Sequence, residues 1–348
     1  MTTQGLPGLR RAPFALVVAV AIAAAAGCSS SSGGGGTAAL LATPTTAAEV
    51  ASGPDGSFAV GERSEVFVDR TRPTDANGSA PGRPDRTLDT IIFYPAEGAA
   101  GGEPVKDAPA RADGAPYPLI VFSHGYTAHG NVYRNLVRWW AAAGYVVAAP
   151  TFPLSSGGAA GGPRLVDYRN QPADVSFVLD ELLRLNRDKS HPLAGLMDET
   201  SIGASGHSLG GLTTFGVGFN DCCVDERIKA AVPMSGIRLP FGSSTYFPAG
   251  VDTPVLIIHG DQDALVPVSQ AHEFFADARG PKALLILNGE DHVVAFVGGP
   301  SSPAGKLVID GSIAFLDQYL KGRTDGLKRL QAAVDAEGHA ELQTDSAA

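Results

Sequence analysis

The sequence predicts an α/β fold in which helices cover both faces of a mostly parallel central sheet. Short, almost continuously apolar runs such as "YPLIVFSHG" (Tyr117–Gly125) are typical of strands that are buried on both faces. Segments with apolar residues on one helical face follow several of these runs, as in Asn131–Gly144. Strands that alternate with helices in this way form parallel sheets, because each helix returns the chain to the start of the next strand.

Composition agrees with a globular protein. The chain has 348 residues, of which 44% are hydrophobic and 18% are charged, so it can bury the core of one large domain or of two small ones. The net charge is −10, and no segment is rich in Lys or Arg. Such a chain attracts neither a phosphate backbone nor an anionic membrane surface, so we expect no nucleic-acid partner.

Residues 1–27 are interpreted as a signal peptide of the lipoprotein type. Arg10 and Arg11 precede an apolar run, residues 14–26, that is too short to span a bilayer comfortably. The run ends in "AAGC", which resembles a bacterial lipobox with alanine where leucine is more typical. This resemblance implies cleavage before Cys28 and lipid attachment to its sulfur, whereas the alternative is an ordinary secretory signal. Either way we expect an exported protein, held in the cell envelope as a lipoprotein or secreted.

Residues 28–56 are rich in Ser, Gly, Ala and Thr and are predicted to be a tether. The folded domain is expected to cover residues 57–322. It starts with two predicted strands, 58–71 and 86–96, which flank a loop rich in Pro, Gly and Asp. Residues 323–348 are expected to be a C-terminal tail with a short helix, to which no role is assigned.

The central part of the domain is predicted to alternate between the two element types. The predicted strands are 117–125, 145–153, 200–206, 228–236, 254–261 and 282–289. The predicted helices are 131–144, 172–186, 209–219, 269–278 and 306–320.

We expect the protein to be a monomer.

Two adjacent cysteines, Cys222 and Cys223, lie in the predicted domain. Neighbouring thiols can form a vicinal disulfide in an oxidising compartment, which is the interpretation favoured here for a structural role. They can also be small buried hydrophobic residues. Their spacing, without a paired Cys-x-x-Cys or a histidine cluster, does not resemble a zinc site.

The segment "GHSLG", Gly206–Gly210, joins a predicted strand to a predicted helix. This is the context in which a Gly-x-Ser-x-Gly motif presents a nucleophile, because the glycines allow the sharp turn that exposes the serine Oγ. A serine needs an imidazole to remove its proton and a carboxylate to orient that imidazole. Without such partners the segment would be only a glycine-rich turn.

Both partners follow Ser208 in chain order. Asp261 and Asp263 come directly after the predicted strand at 254–261, and His292 follows the last predicted strand of the domain. The carboxyl ends of parallel strands meet at the same edge of the sheet, where ligands of open α/β sheets bind. His207 is expected to pack beneath the turn. Ser208, one aspartate and His292 therefore form a predicted Ser-His-Asp triad.

With these motifs the sequence resembles the α/β-hydrolase family. "HGDQDALVP" resembles the family's acid segment, in which a Gly-x-x-Asp sequence is followed by Val-Pro, and this match favours Asp263 over Asp261 as the acid. "IVFSHGYTAHG" is similar to the oxyanion loop of bacterial cutinases, polyester hydrolases and platelet-activating factor acetylhydrolases. The resemblance implies an oxyanion hole made by the backbone N–H groups of Tyr126 and Leu209. Where cutinase-like polyester hydrolases have a substrate-stacking tryptophan, this sequence has Ile237.

The predicted function is that of an exported serine hydrolase for carboxylic esters with short to medium acyl chains, acting on small or polymeric substrates. No metal or organic cofactor is expected, and contact with a membrane is expected only through a lipid anchor at Cys28. Two alternatives remain: a serine peptidase or amidase on the same fold, and a non-catalytic surface-binding protein.

Overall fold

The computed structural model describes residues 58–345. The predicted signal peptide, Cys28 and the whole predicted tether lie outside these residues, so those assignments stay predictions of the sequence. None of the helices among the described residues combines the length and the apolar character that crossing a membrane requires.

Ten strands within residues 58–345 form one sheet. In chain order they are β1 (Ala59–Asp69), β2 (Arg86–Ala96), β3 (Val105–Lys106), β4 (Tyr117–Ser123), β5 (Val146–Thr151), β6 (Met197–His207), β7 (Ile228–Met234), β8 (Val255–Gly260), β9 (Lys282–Leu287) and β10 (Ala340–Asp345). Their order across the sheet is β10-β9-β8-β7-β6-β4-β5-β2-β1-β3. Strands β4 to β9 run parallel to one another, whereas β2 pairs antiparallel with both β5 and β1.

Seven α-helices accompany the sheet within the described residues. They are α1 (Arg134–Ala142), α2 (Gln171–Arg187), α3 (Leu209–Phe219), α4 (Ser269–Asp277), α5 (Val294–Val297), α6 (Pro303–Leu320) and α7 (Gly326–Glu337). Apolar side chains of α1, α5, α6 and α7 pack on one face of the sheet, and those of α2, α3 and α4 pack on the other. The predicted α/β architecture is therefore confirmed.

Alternation along the central strands divides the core between the two faces. In β4, Ile120 and Phe122 belong to the cluster on the α1 side, and Leu119 and Val121 belong to the cluster on the α2 side. Because both sets are buried, the strand is apolar along almost its whole length, as the sequence pattern predicted. Trp140 is fully buried in α1, and its indole N–H donates to the Ser312 hydroxyl at 2.8 Å.

A buried ion cluster fixes α2 to β2. The Arg86 guanidinium is 1% exposed and donates to Asp174 and Asp167 at 2.7 Å. Burial raises the pKa of Asp174, and the charge of Arg86 offsets only part of that effect. Removing one partner of such a buried group leaves an uncompensated charge, so the cluster holds its elements firmly in place.

The C-terminal segment adds a helix and a strand to this architecture. Leu330 and Val334 of α7 are buried against the main core, and Leu327 packs at its edge. Strand β10 then pairs antiparallel with β9, from Ala340 opposite Leu287 to Asp345 opposite Lys282. The sequence did not predict this strand. Its side chains are half-buried or exposed, so it lacks the apolar pattern that marks the central strands.

Candidate active site

The backbone turns sharply at Ser208, between β6 and α3. Ser208 has φ +58° and ψ −115°, a conformation that costs a non-glycine residue about 1–3 kcal/mol and that recurs at functional sites. Glycines make room for the turn: a Cβ at Gly210 would overlap the Ser123 carbonyl group, and one at Gly206 would overlap the Gly210 carbonyl group. The turn therefore packs directly against the end of β4 and leaves Ser208 partly exposed.

The structure brings Ser208, His292 and Asp263 together. His292 Nε2 lies 2.8 Å from Ser208 Oγ, and His292 Nδ1 lies 2.6 Å from Asp263 Oδ2. The three residues follow β6, β9 and β8, whose carboxyl ends share one edge of the sheet. Because Asp263 accepts from Nδ1–H, the unprotonated Nε2 of a neutral His292 faces the serine hydroxyl.

Hydrogen bonds fix the buried carboxylate of Asp263. Its Oδ1 accepts from the N–H groups of Leu265 at 2.9 Å and Val266 at 2.8 Å. Burial by itself would raise the pKa of Asp263, but hydrogen bonds from His259, His292 and Val266 outweigh it and hold that pKa well below its usual range. The carboxylate is therefore ionised whenever His292 can act as a base.

Asp261, the other candidate for the acid in the sequence, makes different contacts. Its Oδ1 accepts from the Gly289 N–H at 2.7 Å, and the side chain lies at an exposed position. This bond ties the turn after β8 to the turn after β9. Asp261 thus supports the loop that leads to His292, while Asp263 contacts the imidazole.

His259 is a member of the site to which the sequence assigned no role. It is fully buried at the end of β8, and its Nε2 lies 2.9 Å from the Val266 carbonyl oxygen and 3.2 Å from Asp263 Oδ2. Both neighbours accept hydrogen bonds, so Nε2 carries the proton. His259 therefore helps to orient the acid. Its position four residues before Asp263 was the only sequence signal for this contact.

Two backbone N–H groups are available beside the serine. Among the described residues, neither the Tyr126 N–H nor the Leu209 N–H donates to a protein acceptor. Leu209 is the first residue of α3, where the helix dipole favours negative charge. Tyr126 lies in the loop after β4, which the turn at Ser208 contacts. These are the two groups that the resemblance to α/β-hydrolases implied for an oxyanion hole.

Apolar side chains surround this end of α3. A buried cluster comprises Tyr168, Leu209, Leu212 and Phe241, and half-buried residues that include Tyr126, Leu165, Ile237 and Leu239 pack against it. The Tyr126 hydroxyl donates to the Pro163 carbonyl at 2.8 Å, which fixes its ring. Leu265, Val293 and Val294, next to the acid and the histidine in sequence, are exposed. The surroundings therefore suit a neutral, largely apolar ligand.

Cys222 and Cys223 are joined by a disulfide just after α3. Cys223 packs against the apolar cluster around Leu209. The N–H groups of both cysteines donate to Asn220, through its side chain and its carbonyl respectively. The disulfide therefore has a structural role beside the apolar cluster around Leu209 and is not part of the group that contacts Ser208.

Two buried histidines behind the site are neutral. His124 Nδ1–H donates to the Gly125 carbonyl at 2.8 Å, and its Nε2 accepts from the Phe152 N–H at 3.0 Å. Burial is the largest cause for both residues, and it lowers the pKa of His124 to about 4 and that of His207 to about 3. Neither imidazole can take up a proton without losing stability of the fold.

We therefore expect the free energy of unfolding to decrease by about 4 kcal/mol between pH 7 and pH 5. In the unfolded chain both histidines have a pKa near 6.5, so the unfolded state binds more protons than the folded state below that pH. Stability is accordingly complete above about pH 6.5 and is lost as the pH falls. Urea unfolding at pH 7, 6 and 5 measures this effect. His124→Gln removes one of the two groups and should roughly halve the change, whereas an equal pH dependence in both proteins would contradict the assignment.

Comparison with known proteins agrees with this fold. The family model described as PETase, PET hydrolase-like, matches residues 72–328, which is most of the chain. A solved ferulic acid esterase from Streptomyces cinnamoneus is similar with a TM-score of 0.62 and 21% sequence identity, over 85% of this chain and 98% of that chain. A search of curated protein sequences finds no significant match. The protein thus belongs to the PET hydrolase-like family and is a carboxylic ester hydrolase with the α/β-hydrolase fold.

Proposed function

We propose that the protein is an exported serine esterase that works through a Ser208-His292-Asp263 triad and an acyl-enzyme. The observation that carries this proposal is the unbroken line of hydrogen bonds from Asp263 through His292 to Ser208. This line supplies the base that a serine hydroxyl needs at neutral pH and the acid that orients the base.

In the proposed reaction, Ser208 Oγ attacks the ester carbonyl carbon while His292 Nε2 takes the hydroxyl proton. The carbonyl oxygen becomes an anion and is held by the N–H groups of Tyr126 and Leu209. Collapse of this intermediate breaks the bond to the alcohol oxygen, which leaves with the proton from His292. Water then attacks the acyl-enzyme, with His292 again acting as base, and releases the carboxylic acid and free Ser208.

The proposed substrates are carboxylic esters with short to medium acyl chains, including polymeric esters. The apolar cluster around Leu209 favours a neutral acyl group over a charged one. The exposed side chains of Leu265, Val293 and Val294 extend this apolar character to the surface. A hydrophobic polymer chain would therefore meet apolar side chains next to the site. Ile237 supplies an aliphatic contact where a tryptophan would supply an aromatic one.

Rates on matched substrates test this proposal against the peptidase or amidase alternative. We expect p-nitrophenyl acetate and butyrate to be hydrolysed faster than the palmitate ester, and the corresponding p-nitroanilides to be hydrolysed at least about 10³-fold more slowly than the esters. A p-nitroanilide rate comparable to the ester rate would contradict the esterase proposal. If no ester is hydrolysed but a fluorophosphonate still labels Ser208, the peptidase or amidase alternative gains support.

Export and lipid anchoring at Cys28 are part of the same proposal. They are supported by the basic start, the short apolar run and the "AAGC" sequence of residues 25–28. A single acyl chain anchors a protein only weakly, so a stable envelope location needs the diacylglyceryl group that lipobox cleavage implies. Mass spectrometry of the N-terminal peptide from the membrane fraction tests this modification. An unmodified Cys28 would exclude it and leave ordinary secretion.

A further inference from the structure

A chain of buried hydrogen bonds runs beneath the site. The Gly125 N–H donates to the Tyr133 hydroxyl oxygen at 3.2 Å, and that oxygen lies 2.8 Å from His207 Nδ1. His207 Nε2 in turn lies 2.6 Å from the carbonyl oxygen of His292. Tyr133 and His207 are 2% and 3% exposed, so water does not compete for these bonds.

The backbone groups at the two ends determine where the protons lie. Gly125 offers an N–H, which can only donate, and His292 offers a carbonyl oxygen, which can only accept. His207 therefore carries its proton on Nε2 and donates it to His292. Its Nδ1 accepts from the Tyr133 hydroxyl, which accepts from Gly125. In this one arrangement every polar atom in the line of hydrogen bonds has a partner. The imidazole of His207 therefore has a single tautomer and a single orientation.

The chain joins three segments that supply groups of the proposed reaction. Gly125 immediately precedes Tyr126, whose N–H belongs to the proposed oxyanion hole. His207 immediately precedes Ser208, and its ring centroid lies 4.9 Å from that of His292. Tyr133 lies in the short helical turn before α1 and bridges the first two segments. Within residues 58–345, no other pair of side chains makes hydrogen bonds to both the oxyanion loop and the His292 backbone.

Both side chains are neutral over the pH range in which the imidazole of His292 must act as a base. Burial lowers the pKa of His207 to about 3, and burial also raises the pKa of the Tyr133 hydroxyl above its usual value. The pattern of donors and acceptors therefore does not change near neutral pH. A permanent arrangement of this kind suits a role in positioning.

We propose that Tyr133 and His207 are positioning residues for ester hydrolysis, which together hold the Tyr126 N–H and the His292 imidazole at fixed places around Ser208. The proposal rests on the proposed triad and oxyanion hole. It extends them to two residues that touch no substrate. Its physical basis is that a displacement of about 1 Å in a catalytic group can lower the rate by about 10²-fold, so a rigid link between the groups contributes directly to kcat.

Tyr133→Phe tests the link with almost no change in shape. The variant leaves the Gly125 N–H without an acceptor and His207 Nδ1 without a donor. We expect kcat on p-nitrophenyl butyrate to fall by about 10- to 100-fold while KM changes by less than about threefold, because binding does not depend on these bonds. Labelling of Ser208 by a fluorophosphonate should slow by a similar factor.

Tyr145→Phe is the matched control. Tyr145 is fully buried, and its hydroxyl donates to Asp317 at 2.7 Å, on the α6 side of the core. Its loss should lower the unfolding midpoint at least as much as Tyr133→Phe but leave kcat unchanged. If both variants lose kcat equally, or if Tyr133→Phe keeps kcat within twofold of the unaltered protein, the positioning role is wrong.

His207→Gln and His207→Asn separate the two ends of the link. Gln places an amide near Nε2 and can still donate to His292, whereas Asn places its amide near Nδ1 and can contact only Tyr133. We expect Gln to retain more kcat than Asn, and the reverse order would contradict the proposal. Failure of the proposed function is distinguishable, because in that case the unaltered protein itself would not hydrolyse p-nitrophenyl butyrate, whether or not the fluorophosphonate labels Ser208.

Discussion

Replacing Ser208 with alanine is expected to lower kcat for ester hydrolysis by about 10⁶-fold, the scale seen when a triad nucleophile is removed. The variant keeps the backbone turn. Alanine and serine both carry a Cβ, so the substitution leaves the backbone strain at φ +58° unchanged. Among the described residues the lost side-chain contact is the hydrogen bond to His292. We therefore expect a change of no more than about 1 kcal/mol in the free energy of unfolding.

Hydrolysis of p-nitrophenyl butyrate and fluorophosphonate labelling measure this effect. Ser205→Ala is a suitable control, because Ser205 lies in β6 three residues before Ser208, is fully buried and donates to the Val232 carbonyl at 2.6 Å. That variant should lose about 1 kcal/mol of stability and keep its activity. Residual activity above about 1% in Ser208→Ala, after contaminating esterases are excluded, would mean that another group is the nucleophile.

Asp263→Asn is expected to lower kcat by about 10⁴-fold with little change in the fold. The asparagine carbonyl oxygen would keep the bonds from Leu265 and Val266. Its NH₂ group would then face His292 Nδ1, which now donates to Asp263. Two donors repel, so His292 would shift its proton to Nε2 and could no longer accept the proton of Ser208.

Asp261→Asn provides the matched comparison in the same loop. Its amide oxygen can still accept from Gly289, so we expect kcat to fall by less than about tenfold. Steady-state kinetics for the two variants distinguish the two aspartates directly. Equal losses would show that the loop as a whole matters, and a larger loss in Asp261→Asn would reverse the assignment of the acid.

The sequence could predict the fold and the triad residues because local residue patterns marked the elements and the order of the motifs along the chain marked the triad. The predicted bounds of α3, Leu209–Phe219, agree with the structure because a glycine-flanked serine marks its start. The parallel strands were visible because both their faces are buried. Asp261 and Asp263 were harder to separate, because the spacing places both beyond β8. The hydrogen bonds to Gly289 and His292 show how they differ.

Contacts between distant segments were beyond sequence reasoning. Tyr133 is 74 residues from His207, and His207 is 85 residues from His292, so no periodic pattern links them. His207 was expected to pack beneath the turn, but its partners could not be named. Strand β10 was missed for a different reason, since its polar residues become a strand only because β9 offers an unpaired edge.

Strand β10 also has a consequence for solubility. Strand β9 is almost wholly apolar, and without β10 its free N–H and C=O groups would form a template on which another chain could add a strand. In the structure, β10 is the edge strand instead. It carries Glu341, Gln343 and Asp345, and none of its side chains is buried. Charges on a sheet edge discourage pairing between molecules, so this polar strand protects the fold from aggregation through the edge nearest His292.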